Sequence, residues 1–176
     1  MNTGDLFLAS VVKRLRYYKE LADKTFEQLS EEDLPFVAGE ESNSIAIIIR
    51  HLHGNMMSRW RDFLTSDGEK EWRKRDAEFE EQQSSKVQLI VLWEEGWKCV
   101  FDALQSLNAE DLEKTIYIRS EALSVVDAIN RQLAHYPYHV GQIIYIGKMI
   151  KNKNWQNLSV PKGRSAEFNN ELKRQP

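Results

Sequence analysis

The chain has 176 residues, and its 24 Lys and Arg against 27 Asp and Glu leave a formal charge of −3, which speaks against a nucleic-acid partner. Hydrophobic residues make up 41%, with five Trp, six Tyr and seven Phe, enough for a core and too many for a disordered chain. A single cysteine, Cys99, excludes an intrachain disulfide and a cysteine-based zinc cage.

The first periodic segment runs from about Asp5 to Leu29, with Leu8, Val11, Val12, Leu15, Tyr18, Leu21, Ala22 and Leu29 at helical steps. Ser30 to Asp33 reads as a cap and turn, and Pro35 blocks simple continuation. A second helix is expected from Asn43 or Ser44 to about Leu64, its stripe being Ile45, Ile48, Ile49, Leu52, Met56, Trp60 and Phe63. Thr65-Ser-Asp-Gly68 is a stop signal, and Glu69 to Ser85 reads as a long, mostly solvated connection anchored by Trp72 and Phe79. The third helix spans roughly Ser85 to Leu107, turning Leu89, Leu92, Trp93, Val100, Phe101 and Leu104 inward; Gly96 within it marks a close crossing. Thr115 to Arg119 alternates with period two and suits a short extended segment. Ser124-Val-Val-Asp127 has the form of a capping box and opens a fourth helix to about Ile150. The polar tail, from about residue 152, has Trp155 and Phe168 as anchors. Four long helices with one long linker between the second and third indicate an all-α four-helix bundle, a single domain over residues 1–176. No segment offers the roughly 20 apolar residues that span a bilayer, and the N-terminus has no signal-type apolar core. The expectation is a soluble cytoplasmic protein with no membrane partner.

The four histidines fall in two tight pairs, His51/His53 and His135/His139. His135 and His139 are four residues apart, so both imidazoles lie on one helix face, with Cβ atoms about 5–6 Å apart and able to share a metal. Two half-buried histidines hydrogen-bonded within the bundle would satisfy the same spacing. Pro137 between them withholds an N–H from the Leu133 carbonyl and loosens the helix. On a helical wheel the stripe of this helix centres on Val126, Leu133, Val140 and Ile144, and the histidines flank it. His51 shares a face with Ser44, Ile48 and Asn55, whereas His53 lies on the opposite flank of its helix. Periodicity does not choose between them.

Several chemistries are excluded by pattern. HYPYH has no Glu at its second position, so the HExxH protease arrangement is absent. The residues three before each histidine are Ile48, Arg50, Gln132 and Tyr136, so the ExxH ligands of a di-iron carboxylate site are absent too. GxGxxG, Walker and GxSxG motifs are lacking. Cys99 reads as an inert core thiol. Trp60, Trp93, Trp97 and Phe101 read as packing, and Arg59/Arg61 with Arg73/Lys74/Arg75 as solvated faces. A mononuclear site built from histidines of two helices remains.

The helix carrying Ile48-Ile49-Arg50-His51-Leu52, and the later Ser124-Val-Val-Asp127 followed by His135-x-x-x-His139-x-Gly141-Gln142-Ile143, resemble the DinB/YfiT-like superfamily. The stretch from Asn43 to Trp60 is particularly similar to an uncharacterised bacterial branch of it. The resemblance covers roughly Leu6 to Asn154. It implies an up-down-down-up four-helix bundle, commonly a homodimer, with a divalent metal held by three histidines. Carried over position by position, these are His51, His135 and His139, while His53 matches no fixed ligand.

Characterised relatives include transferases and isomerases that use low-molecular-weight thiols such as bacillithiol or mycothiol. The resemblance therefore implies Zn²⁺ or Ni²⁺, a thiol cosubstrate and an electrophilic small-molecule substrate. Gln142 and Asn55, each one turn from a histidine, are candidates to orient a ligand or water, and no catalytic side chain is named. A non-catalytic metal-binding bundle whose dimer surface is the working part is the competing reading. A metal-dependent hydrolase is the third, against which no Asp or Glu lies within a turn of His135 or His139.

Overall fold

The computed structural model describes residues 2–80 and 82–172. Helix α1 spans Thr3–Gln28 and starts from a capping box between Asn2 and Asp5. It has no basic residue of its own in its last turn; the Lys86 ammonium donates instead to the carbonyls of Phe26 (2.7 Å) and Leu29 (2.6 Å). That charge meets the negative end of the helix and satisfies carbonyls that would otherwise lack partners. Helix α2, Ile45–Trp60, is capped by Ser44, and Ile45 through Leu52 are all buried. This stretch is enclosed on all sides, Arg50 and His51 included, and α2 packs against α3, α4 and the linker turn at Asp76–Phe79.

Helix α3 spans Lys86–Ser106 behind a reciprocal Ser85/Gln88 capping box. Gly96 is the close crossing: a Cβ there would sit 2.9 Å from Met56 Sδ and 3.4 Å from His53 Cα. Helix α4, Val125–Lys151, begins at Ser124, whose hydroxyl accepts from the Asp127 N–H. Only that half of the expected capping box is made. The helices α1 and α4 pack together, as do α2 and α3, and further contacts between α2 and α4 and between α1 and α3 join the four around one core.

The extended segment at Thr115–Ile118, β1, pairs antiparallel with Glu121–Ser124, β2, in the register Ile118↔Glu121. The two residues between them, Arg119 (φ 56°) and Ser120 (φ 63°), take the left-handed conformation of a type I′ turn without a glycine. Asp67 holds that turn, its carboxylate accepting from the N–H groups of Arg119 and Ser120 at 2.8 Å each.

Several expectations are corrected. Helix α2 ends at Trp60 rather than Leu64, because Asp62 turns into left-handed backbone (φ 54°), although Phe63 stays buried. The buried face of α4 centres on Ile129, Gln132, Tyr136 and Ile143 rather than on Leu133 and Ile144. Counting only apolar side chains misses Tyr136 and Gln132, which are buried as polar members of that face. Trp72 is 51% exposed and is not part of the core. In the tail, Trp155 packs on Gly147, but Phe168 is exposed on a short helix α5, Ser165–Leu172, which periodicity does not reveal. The tail's last residues, 173–176, lie outside the described ones. No helix among the described residues is long and apolar enough to cross a membrane.

Candidate metal centre

His51 projects from α2 and meets His135 and His139 from α4. The Nε2 of His135 lies 3.4 Å from that of His51 and 3.1 Å from that of His139. One ring nitrogen from each of the three lies within 4.8 Å of the others. His51 and His139 are buried and His135 is half-buried. His53 stays apart: its Nε2 lies 3.4 Å from Glu95 on α3.

Two of the three opposite ring nitrogens are committed. His51 Nδ1 lies 3.0 Å from Glu78 Oε2, and His139 Nδ1 lies 2.8 Å from Gln142 Oε1. A carboxylate and an amide oxygen accept only, so both Nδ1 atoms carry the proton and both Nε2 atoms present a lone pair. Two lone pairs converging beside His135 are relieved either by a proton on His135 Nε2 or by a cation among the three nitrogens. Burial first, and then the neighbouring His139, His51, Arg73 and Arg59, push His135 down to about 3. Burial and His51 push His139 down to about 4, against the Gln142 hydrogen bond. Both imidazoles are therefore neutral at pH 7, the form that ligates metals. This donor set could hold a metal ion.

Glu78 comes from the linker between α2 and α3. Burial would raise its carboxyl, but Arg73 and His51 hold it below the ordinary range. Arg73 grips it with two hydrogen bonds, Nε to Oε1 at 2.7 Å and Nη2 to Oε2 at 2.8 Å. Gly54, one turn past His51, makes the room: a Cβ there would overlap the Glu78 carboxylate. Phe79 lies on the His51 ring, centroids 4.9 Å apart. Beneath, the Trp60 indole N–H donates to the Tyr136 hydroxyl (2.7 Å), which donates to Asn55 Oδ1 (3.1 Å). A cavity of about 440 Å³ opens on His51, His135 and Asn55.

A family model described as "Protein of unknown function (DUF1572)" matches residues 2–164. The chain belongs to that family. No curated protein matches it.

In this DUF1572 chain the structure brings together His51, His135 and His139 and leaves His53 out. The Gln142 amide oxygen lies against His139 Nδ1. Asn55 lines the cavity with its oxygen taken by Tyr136. Sequence reading misses Glu78 and Arg73, because 27 residues separate Glu78 from His51 and no periodicity joins a linker to a helix. The linker is consequently less solvated than expected, and Arg73 (8% exposed) and Arg59 (6%) are buried, contrary to a reading as solvated faces. One signal was present: Gly54 inside α2, a close-approach glycine like Gly96. Cys99 is half-buried, and burial raises its thiol, consistent with an inert side chain.

Proposed function

We propose that the chain is a DinB/YfiT-like four-helix bundle of up-down-down-up order that holds a divalent metal, Zn²⁺ or Ni²⁺, on His51, His135 and His139. In this reading it serves as a low-molecular-weight-thiol S-transferase. The observation that supports the metal assignment is the convergence of three imidazole nitrogens, with the opposite nitrogens of two of them, His51 and His139, tied down at Glu78 and Gln142. Such second partners fix the tautomer and raise ligand basicity. The chemistry the ion supplies when bound is Lewis acidity, which holds a sulfur nucleophile in its thiolate form near neutral pH.

The chain's own residues do the rest. Arg73 keeps Glu78 ionised, and Glu78 holds the proton of His51 on Nδ1. Phe79 covers the outer face of His51 and limits water there. Because Tyr136 occupies the Asn55 oxygen, the Asn55 amide N–H₂ is the end left to donate into the cavity. The hydrolase reading is weakened by the same contacts: both Glu78 oxygens are engaged, by Arg73 and His51, so the nearest carboxylate is not a free base. A homodimer follows from the resemblance and is checked by sedimentation velocity.

Metal analysis of the natively purified protein tests the site, and His135→Ala should lose the metal. The transferase is tested with bacillithiol, glutathione and a bimane halide. Metal-dependent acceleration with one thiol is expected; no acceleration with either would remove that assignment and leave a non-catalytic metal-binding protein.

A further inference from the structure

The cavity beside the histidines has a charge that the chain as a whole does not. The molecule carries a formal −3, yet five of its eleven arginines, Arg59, Arg73, Arg75, Arg119 and Arg131, line this one cavity, and no Asp or Glu lines it among the described residues. Three of the five are committed elsewhere. Arg73 is spent on Glu78, Arg59 on the Gly68 carbonyl and Glu69, and Arg119 on Glu69 at 2.9 Å.

Two are not. Arg131 has only a 3.7 Å approach to Glu121, longer than a hydrogen bond, and Arg75 has no ion pair among the described residues. Gathering guanidinium groups around a hollow costs mutual repulsion, which an anion between them would relieve. Two further groups belong to the same wall. The Gln132 carboxamide is 3% exposed, and its oxygen has no partner. That oxygen only accepts, so it suits a hydroxyl or N–H elsewhere on a bound molecule and does not hold the anion itself. Asn55 presents its amide N–H₂, fixed by the Trp60–Tyr136 relay described above. About 440 Å³ is the size of a small-molecule site and too small for a macromolecular strand.

We propose that this cavity binds a small molecule through an oxyanion, a carboxylate or a phosphate ester, gripped by Arg75 and Arg131 with Asn55 donating beside the histidines. The planar guanidinium fork matches both kinds of anion. This names the substrate class of the site proposed above and rests on that reading only for the chemistry next to the anion.

The test is calorimetric titration of the chain, as purified and after chelator treatment, with succinate and separately with inorganic phosphate at low salt. Saturable binding of at least one is expected, with a dissociation constant of about 1 mM or tighter. Arg75→Gln and Arg131→Gln should each weaken it by about tenfold or more, the scale of losing a charge-assisted hydrogen bond. Both side chains are exposed, so the variants keep the fold, which circular dichroism verifies. Lys98→Gln, on the exposed side of α3, should change nothing. Succinate alone, phosphate alone or both saturating identifies the anion within the class. No saturation with either up to about 10 mM overturns the proposal, as does loss of less than threefold in both arginine variants or an equal loss in Lys98→Gln. A chain that binds the oxyanion but no metal defeats the metal reading alone. One that binds metal but no oxyanion defeats this proposal alone.

Discussion

The Glu78 carboxylate has three hydrogen-bond contacts, two from Arg73 and one from His51, so one side chain links a buried cation to a candidate ligand. Glu78→Gln keeps the shape but turns one oxygen into a donor, which must face either the guanidinium or the Nδ1 proton. Metal affinity should fall by about 10–100-fold, the usual effect of losing a ligand's outer partner, as read by competition with a chromogenic chelator. Stability should fall as well, by on the order of 3 kcal/mol in urea unfolding, because Arg73 is left buried with its charge unpaired. Undiminished metal affinity in this variant would mean that Glu78 is a structural ion-pair partner and nothing more. His135 and His139 were legible because chemistry and spacing coincide there, whereas the choice of His51 over His53 came from the family resemblance alone. Glu78 was not legible, because a carboxylate in a charged linker resembles its neighbours until the fold brings it to His51.

Among the elements, the helices could be read from the chain because their signals are local: a 3.6-residue period, Ser44, Ser85 and Ser124 as N-caps, and Gly96 at the crossing of α2 and α3. Linker docking is set by distant side chains, and the rotation of α4 by polar residues that hydropathy counts as outward. Gly96→Leu should drive α3 off Met56 and the α2 backbone and cost roughly 1–3 kcal/mol by chemical denaturation, overpacking outweighing the better helix propensity. The loop after α1 is tied to the far end of α4 by Lys151, which donates to Asp33 at 2.8 Å, as does the Ser30 N–H. The Lys151 hydrogen bond first, and then the Ser30 N–H, hold the Asp33 carboxyl below its ordinary value. A depressed folded value means stability present above the unfolded pKa of about 3.9 and lost as pH falls through the lower folded one. Asp33→Asn should therefore cost about 1 kcal/mol or less at pH 7, a partly exposed pair being screened, and the gap from the parent should close below about pH 4. Denaturant midpoints across pH 3–7 check it, and a gap unchanged at pH 3 would defeat the linkage.

For the molecule as a whole, the decisive question is whether the fold needs the ion. The three candidate ligands tie α2 to α4, but the same helices already share a core with Leu52, Met56, Trp60, Ile129, Tyr136, Val140 and Ile143, all nearly fully buried. A small zinc domain folds only with its metal because it has no such core. Here the ion should act as a ligand of an already folded chain, stabilising it by mass action. At a free metal concentration near 100 times the dissociation constant that amounts to about 2.7 kcal/mol. For a chain of this size the corresponding shift in melting temperature is roughly 5–10 °C, at about 2–4 °C per kcal/mol. Chelation should therefore lower the calorimetric transition by that margin while leaving the helical circular dichroism at 25 °C intact, and readdition of zinc or nickel should restore it. His135→Ala should melt near the chelated parent and respond to neither treatment. If chelation instead abolished the helical signal at 25 °C, the ion would be a structural prop. The open arginine-lined cavity beside it would then need another explanation, because a prop gains nothing from access to solvent.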